Sequence, residues 1–105
     1  MKEIIEIQKQ YRKQQNIKTY SYLSDDQITL AAQKYVEQYL KSPSTAKFPS
    51  LFKSEIKKIR PGSYIVTSYV DSQNGFGAII RNNYIVELNQ TIDGKIILKD
   101  ITFLK

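Results

Sequence analysis

Residues 24–40 allow little besides an amphipathic helix. Ser24 followed three residues later by Gln27 forms a capping box, and Asp25 and Asp26 put negative charge at the positive end of the helix dipole. Ile28, Ala31, Ala32, Tyr35, Val36, Tyr39 and Leu40 then recur at i, i+3, i+4 and i+7, a broad apolar stripe suited to burial on a sheet. Pro43 disfavours helical geometry at Ser42, so the spacing predicts that the helix stops near Lys41. After this point the pattern changes to runs of β-branched and aromatic residues separated by turn dipeptides.

Those runs predict four strands, at about 51–59, 63–71, 76–89 and 95–104. Pro61-Gly62 suits a tight turn, and Asn74-Gly75 and Asp93-Gly94 supply residues that tolerate positive φ at hairpin ends. Tyr64, Val66 and Val70 alternate with Ile65, Thr67 and Tyr69. Ala78, Ile80, Tyr84, Val86 and Leu88 share one face, interrupted by Asn82. The expected fold class is α+β, with one or two N-terminal helices packed on a four-stranded antiparallel meander. Residues 2–15 read as a thinner, polar helix with Ile4, Ile7 and Tyr11 on one stripe, too short to be stable undocked. The organisation expected is therefore an N-terminal helical arm over 1–18 and a single domain over 19–105, the length of one ordinary domain.

Two dense blocks stand out, Ser42-Pro-Ser-Thr-Ala-Lys-Phe-Pro-Ser50 after the helix and Val70-Asp-Ser-Gln-Asn-Gly-Phe-Gly-Ala78 at the second hairpin, continuing to Arg81, Asn83 and Tyr84. Together they resemble the signature of a family of small uncharacterised domains from Gram-positive bacteria and their phages. In that family a helix runs into SPSTAKFPS and a later hairpin reads VD-x-QN-x-FGA-x-x-R-x-N-aromatic. The resemblance carries no assigned chemistry. It implies a shared structural corner formed by Ser42, Pro43, Thr45, Lys47, Phe48, Asp71, Asn74, Phe76, Gly77 and Arg81, with Asn74 holding backbone groups and Phe48 and Phe76 packing. Members often follow a membrane anchor. This chain shows no apolar run of spanning length, so it reads as cytoplasmic as written, or as extracytoplasmic if an anchor has been removed.

The residue types available restrict the chemistry. Without Cys or His, thiol catalysis, disulfides, Cys-based zinc sites and the commonest general base are absent. Ser42, Ser44, Thr45 and Ser50 have no base at a recognisable spacing and suit local backbone capping. Gly75 and Gly77 precede no helix, so they do not form a phosphate-binding loop, and the carboxylates lack calcium-loop spacing. The reading is non-enzymatic, with no cofactor and no metal.

What remains is surface. The net charge is +6, with the excess in residues 1–20 and 46–62. Tyr11, Arg12, Lys13, Tyr20 and Tyr22, together with Lys53, Lys57, Lys58 and Arg60, are the candidate partner-binding residues, because tyrosine and basic residues favour interfaces and anionic partners. The first expectation is a protein-binding module. One concrete version is a phage or mobile-element inhibitor of a host defence enzyme, of the anti-CRISPR kind, suggested by size and by the resemblance. A second expectation is nucleic-acid binding through the basic strand, and a third is an extracytoplasmic ligand-binding domain cut from its anchor. Homodimerisation through the first helix or an open strand edge is a further expectation.

Overall fold

The structure, a computed structural model, describes Tyr20 and residues 22–104. The expected first helix, and Tyr11, Arg12 and Lys13 with it, lies outside the described residues.

Helix α1 (Asp25–Glu37) begins where the capping box predicts. The Gln27 N–H donates to Ser24 Oγ at 3.2 Å, and the Ser24 N–H donates to Gln27 Oε1 at 2.9 Å, which satisfies two of the amides a helix start leaves free. The last turn tightens: the N–H groups of Tyr39 and Leu40 donate to Val36 and Glu37 carbonyls three residues back. The helix therefore ends at Glu37 rather than near Lys41. That shortening rotates Tyr39 out of the apolar stripe and leaves it 57% exposed.

Four strands follow, β1 (Glu55–Arg60), β2 (Ser63–Gln73), β3 (Ile79–Gln90) and β4 (Ile96–Leu104), in the antiparallel order β1-β2-β3-β4. This is the expected meander, with two corrections. Residues Leu51–Lys53 form a 3-10 turn, so Lys53 and Phe52 are not on a strand, and Phe52 is exposed. The third strand starts at Ile79, because residues 74–78 form the turn itself.

Ile28, Ala32 and Val36 of α1 are fully buried against Val66 and Val70 of β2 and Tyr84, Val86 and Leu88 of β3. Burying an Ile or Val side chain contributes roughly 1.5–3 kcal/mol, so these positions dominate the attachment of helix to sheet. The register places Val66 opposite Val86 and Tyr64 opposite Leu88, so even-numbered residues of β2 and β3 share the helix-covered face. A buried hydrogen bond from Tyr64 Oη to Gln90 Oε1 at 2.8 Å closes one end of this face. The Tyr35 hydroxyl donates to the Ile96 carbonyl at 2.9 Å and ties α1 to β4.

Gly62, in the β1–β2 turn, has φ +79°, and a Cβ there would lie 2.8 Å from the Tyr20 ring. Turn geometry and close approach both require glycine at this position. Tyr20 thereby has a packing role within the domain, whereas Tyr22 is exposed.

Candidate protein-contact surface

The β2–β3 hairpin runs on past the part of the sheet that α1 covers. Its last cross-strand pair is Gln73 with Ile79, and the turn beyond it is held from within. The Asn74 N–H donates to the Ala78 carbonyl at 2.9 Å, and the Gly77 N–H donates to the Asn74 carbonyl at 3.1 Å. Asn74 Oδ1 accepts from the Phe76 and Ala78 amides at 2.9 and 3.0 Å, so one side chain satisfies two turn donors. The expectation that Asn74 holds backbone groups is met. The positive φ, however, falls on Gly77 (+81°) and not on the Asn74-Gly75 pair. The β3–β4 turn repeats the device: Thr91 Oγ1 accepts from the Lys95 amide at 3.0 Å, and Gly94 has φ +90°.

The SPSTAKF segment braces the base of this hairpin. Lys47 and Asp71 exchange backbone hydrogen bonds of 2.8 and 3.0 Å, an isolated antiparallel bridge on the flank of β2. Thr45 Oγ1 donates to the Ser42 carbonyl at 2.6 Å and accepts from the Gln73 amide at 2.9 Å. Pro43 opens the short 3-10 turn Pro43–Thr45 that sets the Thr45 hydroxyl there. Across the ladder, Arg81 grips Asp71 with two bonds, Nε to Oδ1 at 2.8 Å and Nη2 to Oδ2 at 3.0 Å, and its guanidinium lies 3.9 Å from the centre of the Tyr69 ring. The hydrogen bond from Arg81, helped by its charge, holds the Asp71 carboxyl below the usual carboxylate range and raises Arg81 in turn. Phe48 packs edge-on against Tyr84, with ring centres 6.5 Å apart.

Phe76 does not join this packing. It is 98% exposed, contrary to the expectation that Phe48 and Phe76 pack together. The reason is geometric: Phe76 lies in the turn beyond the last strand pair, where among the described residues no neighbouring strand or helix residue covers it. Ile79 is 70% exposed and Ile80 is 41% exposed, and both sit on the first two positions of β3, outside the reach of α1. The braced hairpin end therefore presents Phe76 at its turn, with Ile79 on the uncovered face beside Thr45, Lys47 and Asp71 and Ile80 on the helix side beside Tyr39 and Leu40. Two clefts flank it. One, of about 270 Å³, is lined by Tyr39, Leu40, Ser72, Ile80, Asn82 and Phe103. The other, of about 250 Å³, lies between Thr45, Lys47, Asp71, Gln73 and Ile79. Both fall just under the usual volume of a small-molecule site, roughly 300–1,000 Å³.

The basic candidates are dispersed. Lys57 pairs with Ile65 on the uncovered face, while Lys58 pairs with Tyr64 on the helix face, where its ammonium lies 3.5 Å from Asp25. Lys53 belongs to the preceding 3-10 turn and Arg60 to the end of β1. The sequence sets Ile80 on the same face as Tyr84, Val86 and Leu88, Tyr39 on the buried stripe and Phe76 in packing with Phe48, which hides the exposed apolar tip. Two signals pointed to it: glycines on both sides of Phe76, and Asn82, a polar residue on an otherwise apolar face.

Among the described residues no group of three or more carboxylates comes together, and no helix is long and apolar enough to cross a membrane. Comparison with protein-family models, with curated proteins and with solved structures finds no match.

Proposed function

We propose that this chain is a non-enzymatic protein-binding module whose contact surface is the braced tip of the β2–β3 hairpin. The carrying observation is Phe76, almost wholly exposed at the end of a hairpin that the side chains of Thr45, Asp71, Asn74 and Arg81 and a backbone bridge hold in place. An aromatic ring on a rigid support loses little conformational freedom on binding, which is what an interface anchor needs. Ile79 adds apolar surface on one face of the hairpin and Ile80 on the other, and the internally neutralised Asp71–Arg81 pair adds no net charge to be desolvated. The inhibitor version of this reading takes a host defence enzyme as the partner.

The nucleic-acid reading has weaker support. Lys57 and Lys58 lie on opposite faces, and Lys58 already has Asp25 beside it. A polyanion needs its cations along one track.

The test is affinity capture from a Gram-positive host lysate with nuclease treatment, comparing wild type with Phe76→Ala/Ile79→Ser. Retention by wild type of a defined protein that the variant loses, at unchanged thermal midpoint, supports the reading. Equal retention by both proteins, or recovery of nucleic acid and its usual binders alone, refutes it. Purified defence nucleases assayed with and without the protein then decide the inhibitor version.

A further inference from the structure

The two edges of the sheet are built differently. The β1 edge is short and carries Glu55, Lys57, Lys58 and Arg60 ahead of Pro61, a composition that discourages pairing with another strand. The β4 edge runs from Ile96 to Leu104 and carries only Lys99 and Asp100, adjacent at its middle, among apolar residues and Thr102. Among the described residues nothing pairs with it.

Hydrogen-bond direction along the sheet shows what that edge offers. The Gln90 N–H donates to the Gly62 carbonyl on the β2 side, and the Thr91 N–H donates to Lys95 on the β4 side. Helix-side residues of β3 thus bond towards β2, and open-face residues bond towards β4. In β4 the consequence is that Ile97, Asp100, Thr102 and Leu104 bond to β3, while Ile96, Leu98, Ile101 and Phe103 turn their backbone groups outward. Two local bonds agree with this. The Ile101 N–H is taken by its neighbour's carboxylate, Asp100 Oδ1, at 2.9 Å, and the Ile96 carbonyl is taken by Tyr35.

The register slips by one residue at Lys99, where Glu87 pairs with Asp100 and Leu88 with Leu98. That bulge makes the edge self-complementary. About a two-fold axis between Lys99 and Asp100, an antiparallel second copy sets Leu98 opposite Ile101, Ile96 opposite Phe103 and Ile97 opposite Thr102. Every pair joins residues of the same face, and each outward backbone group meets another outward one. Without the bulge, such a register would set helix-side residues against open-face ones. The same axis places Lys99 of each copy opposite Asp100 of the other. Asp100 has an unfavourable neighbour within its own chain, because Glu87 is its register partner and the Lys99 ammonium lies 3.4 Å from Glu87.

We infer that the β4 edge is a homodimer interface, in which two copies pair antiparallel about Lys99 and Asp100 to form one continuous sheet. On pairing, Asp100 releases the Ile101 amide to the second copy's Leu98 carbonyl and accepts Lys99 of that copy. The hairpin tip at Phe76 lies on a different part of the surface and stays free in this arrangement.

The experiment is sedimentation velocity on the full chain up to about 100 µM, where a dimer of micromolar affinity is mostly formed. Wild type is expected to dimerise. Asp100→Lys, which faces Lys against Lys, and Lys99→Asp, which faces Asp against Asp, are each expected to weaken the dimer at least tenfold. An equimolar mixture of the two variants is expected to restore it as a heterodimer. Both positions are exposed, and far-ultraviolet circular dichroism with a thermal midpoint checks that each variant is folded. A monomeric wild type overturns the inference. So does a dimer that both variants leave intact, since it must form elsewhere, and so does a mixture that fails to recover.

Discussion

Asp71 is the residue at which pH reaches the hairpin. Its carboxyl is held low by the two-bond grip of Arg81, so the folded state favours the ionised form more than the unfolded chain does. A depressed carboxyl contributes stability that is fully present above its unfolded value, near 3.8, and is lost as pH falls through the lower folded value. The urea midpoints of wild type and Asp71→Asn should therefore differ by a constant amount above about pH 5 and converge below about pH 4. A difference that persists undiminished in acid would show that Asp71 acts by packing and not by its charge. Tyr84 behaves in the opposite sense: burial pushes its hydroxyl up, and Ser68, its register partner, offsets only part of the rise.

At the level of elements, the turns show how far sequence patterns carry. The Ser24–Gln27 box placed the helix start correctly because both partners of that motif lie within one turn of chain. The helix end was harder to read, because Tyr39 and Leu40 keep helical spacing although the last turn has already tightened. Asn74-Gly75 was legible as a hairpin end but not as this hairpin, since Asn74 spends its side chain on backbone amides and leaves the positive φ to Gly77. The distinction is measurable. Neither glycine has atoms near a would-be Cβ, so only backbone geometry separates them. Gly77→Ala should cost about 1–2 kcal/mol, the penalty for an L-residue in the left-handed region. Gly75→Ala should be neutral or stabilise by up to about 1 kcal/mol, by reducing the freedom of the unfolded chain. Chemical denaturation of the two variants checks this, and a larger loss at Gly75 would place the turn's strain on the wrong residue.

At the scale of the whole molecule, the meander and its helix-covered face were legible, because alternation in Tyr64, Val66 and Val70 and in Tyr84, Val86 and Leu88 records burial directly. The exposed apolar tip was legible only in part: the glycines beside Phe76 and the polar Asn82 hint at it, but the exposure of Ile79 and Ile80 depends on where α1 stops relative to the hairpin, which no local pattern encodes. Charge shows the same separation. The period-2 pleat already separates Lys57 from Lys58 in the sequence, and the structure adds that Lys53 leaves the strand for a 3-10 turn and that Asp25 of the helix meets Lys58. No single nucleic-acid backbone can run along both faces of a sheet. Each cation neutralising a duplex phosphate steepens the fall of log affinity with log salt by about 0.9, so four acting together would give a slope near −3.6. The dispersed arrangement instead predicts weak duplex binding with a slope no steeper than about −2, unchanged by Lys58→Glu. Fluorescence anisotropy of labelled duplex DNA across a salt series measures that slope. A value near −3.6 that falls on reversing Lys57 and Lys58 together would require the two faces to be bridged, for instance by DNA lying across the β1 edge, and would favour that edge over the hairpin tip as the proposed contact site.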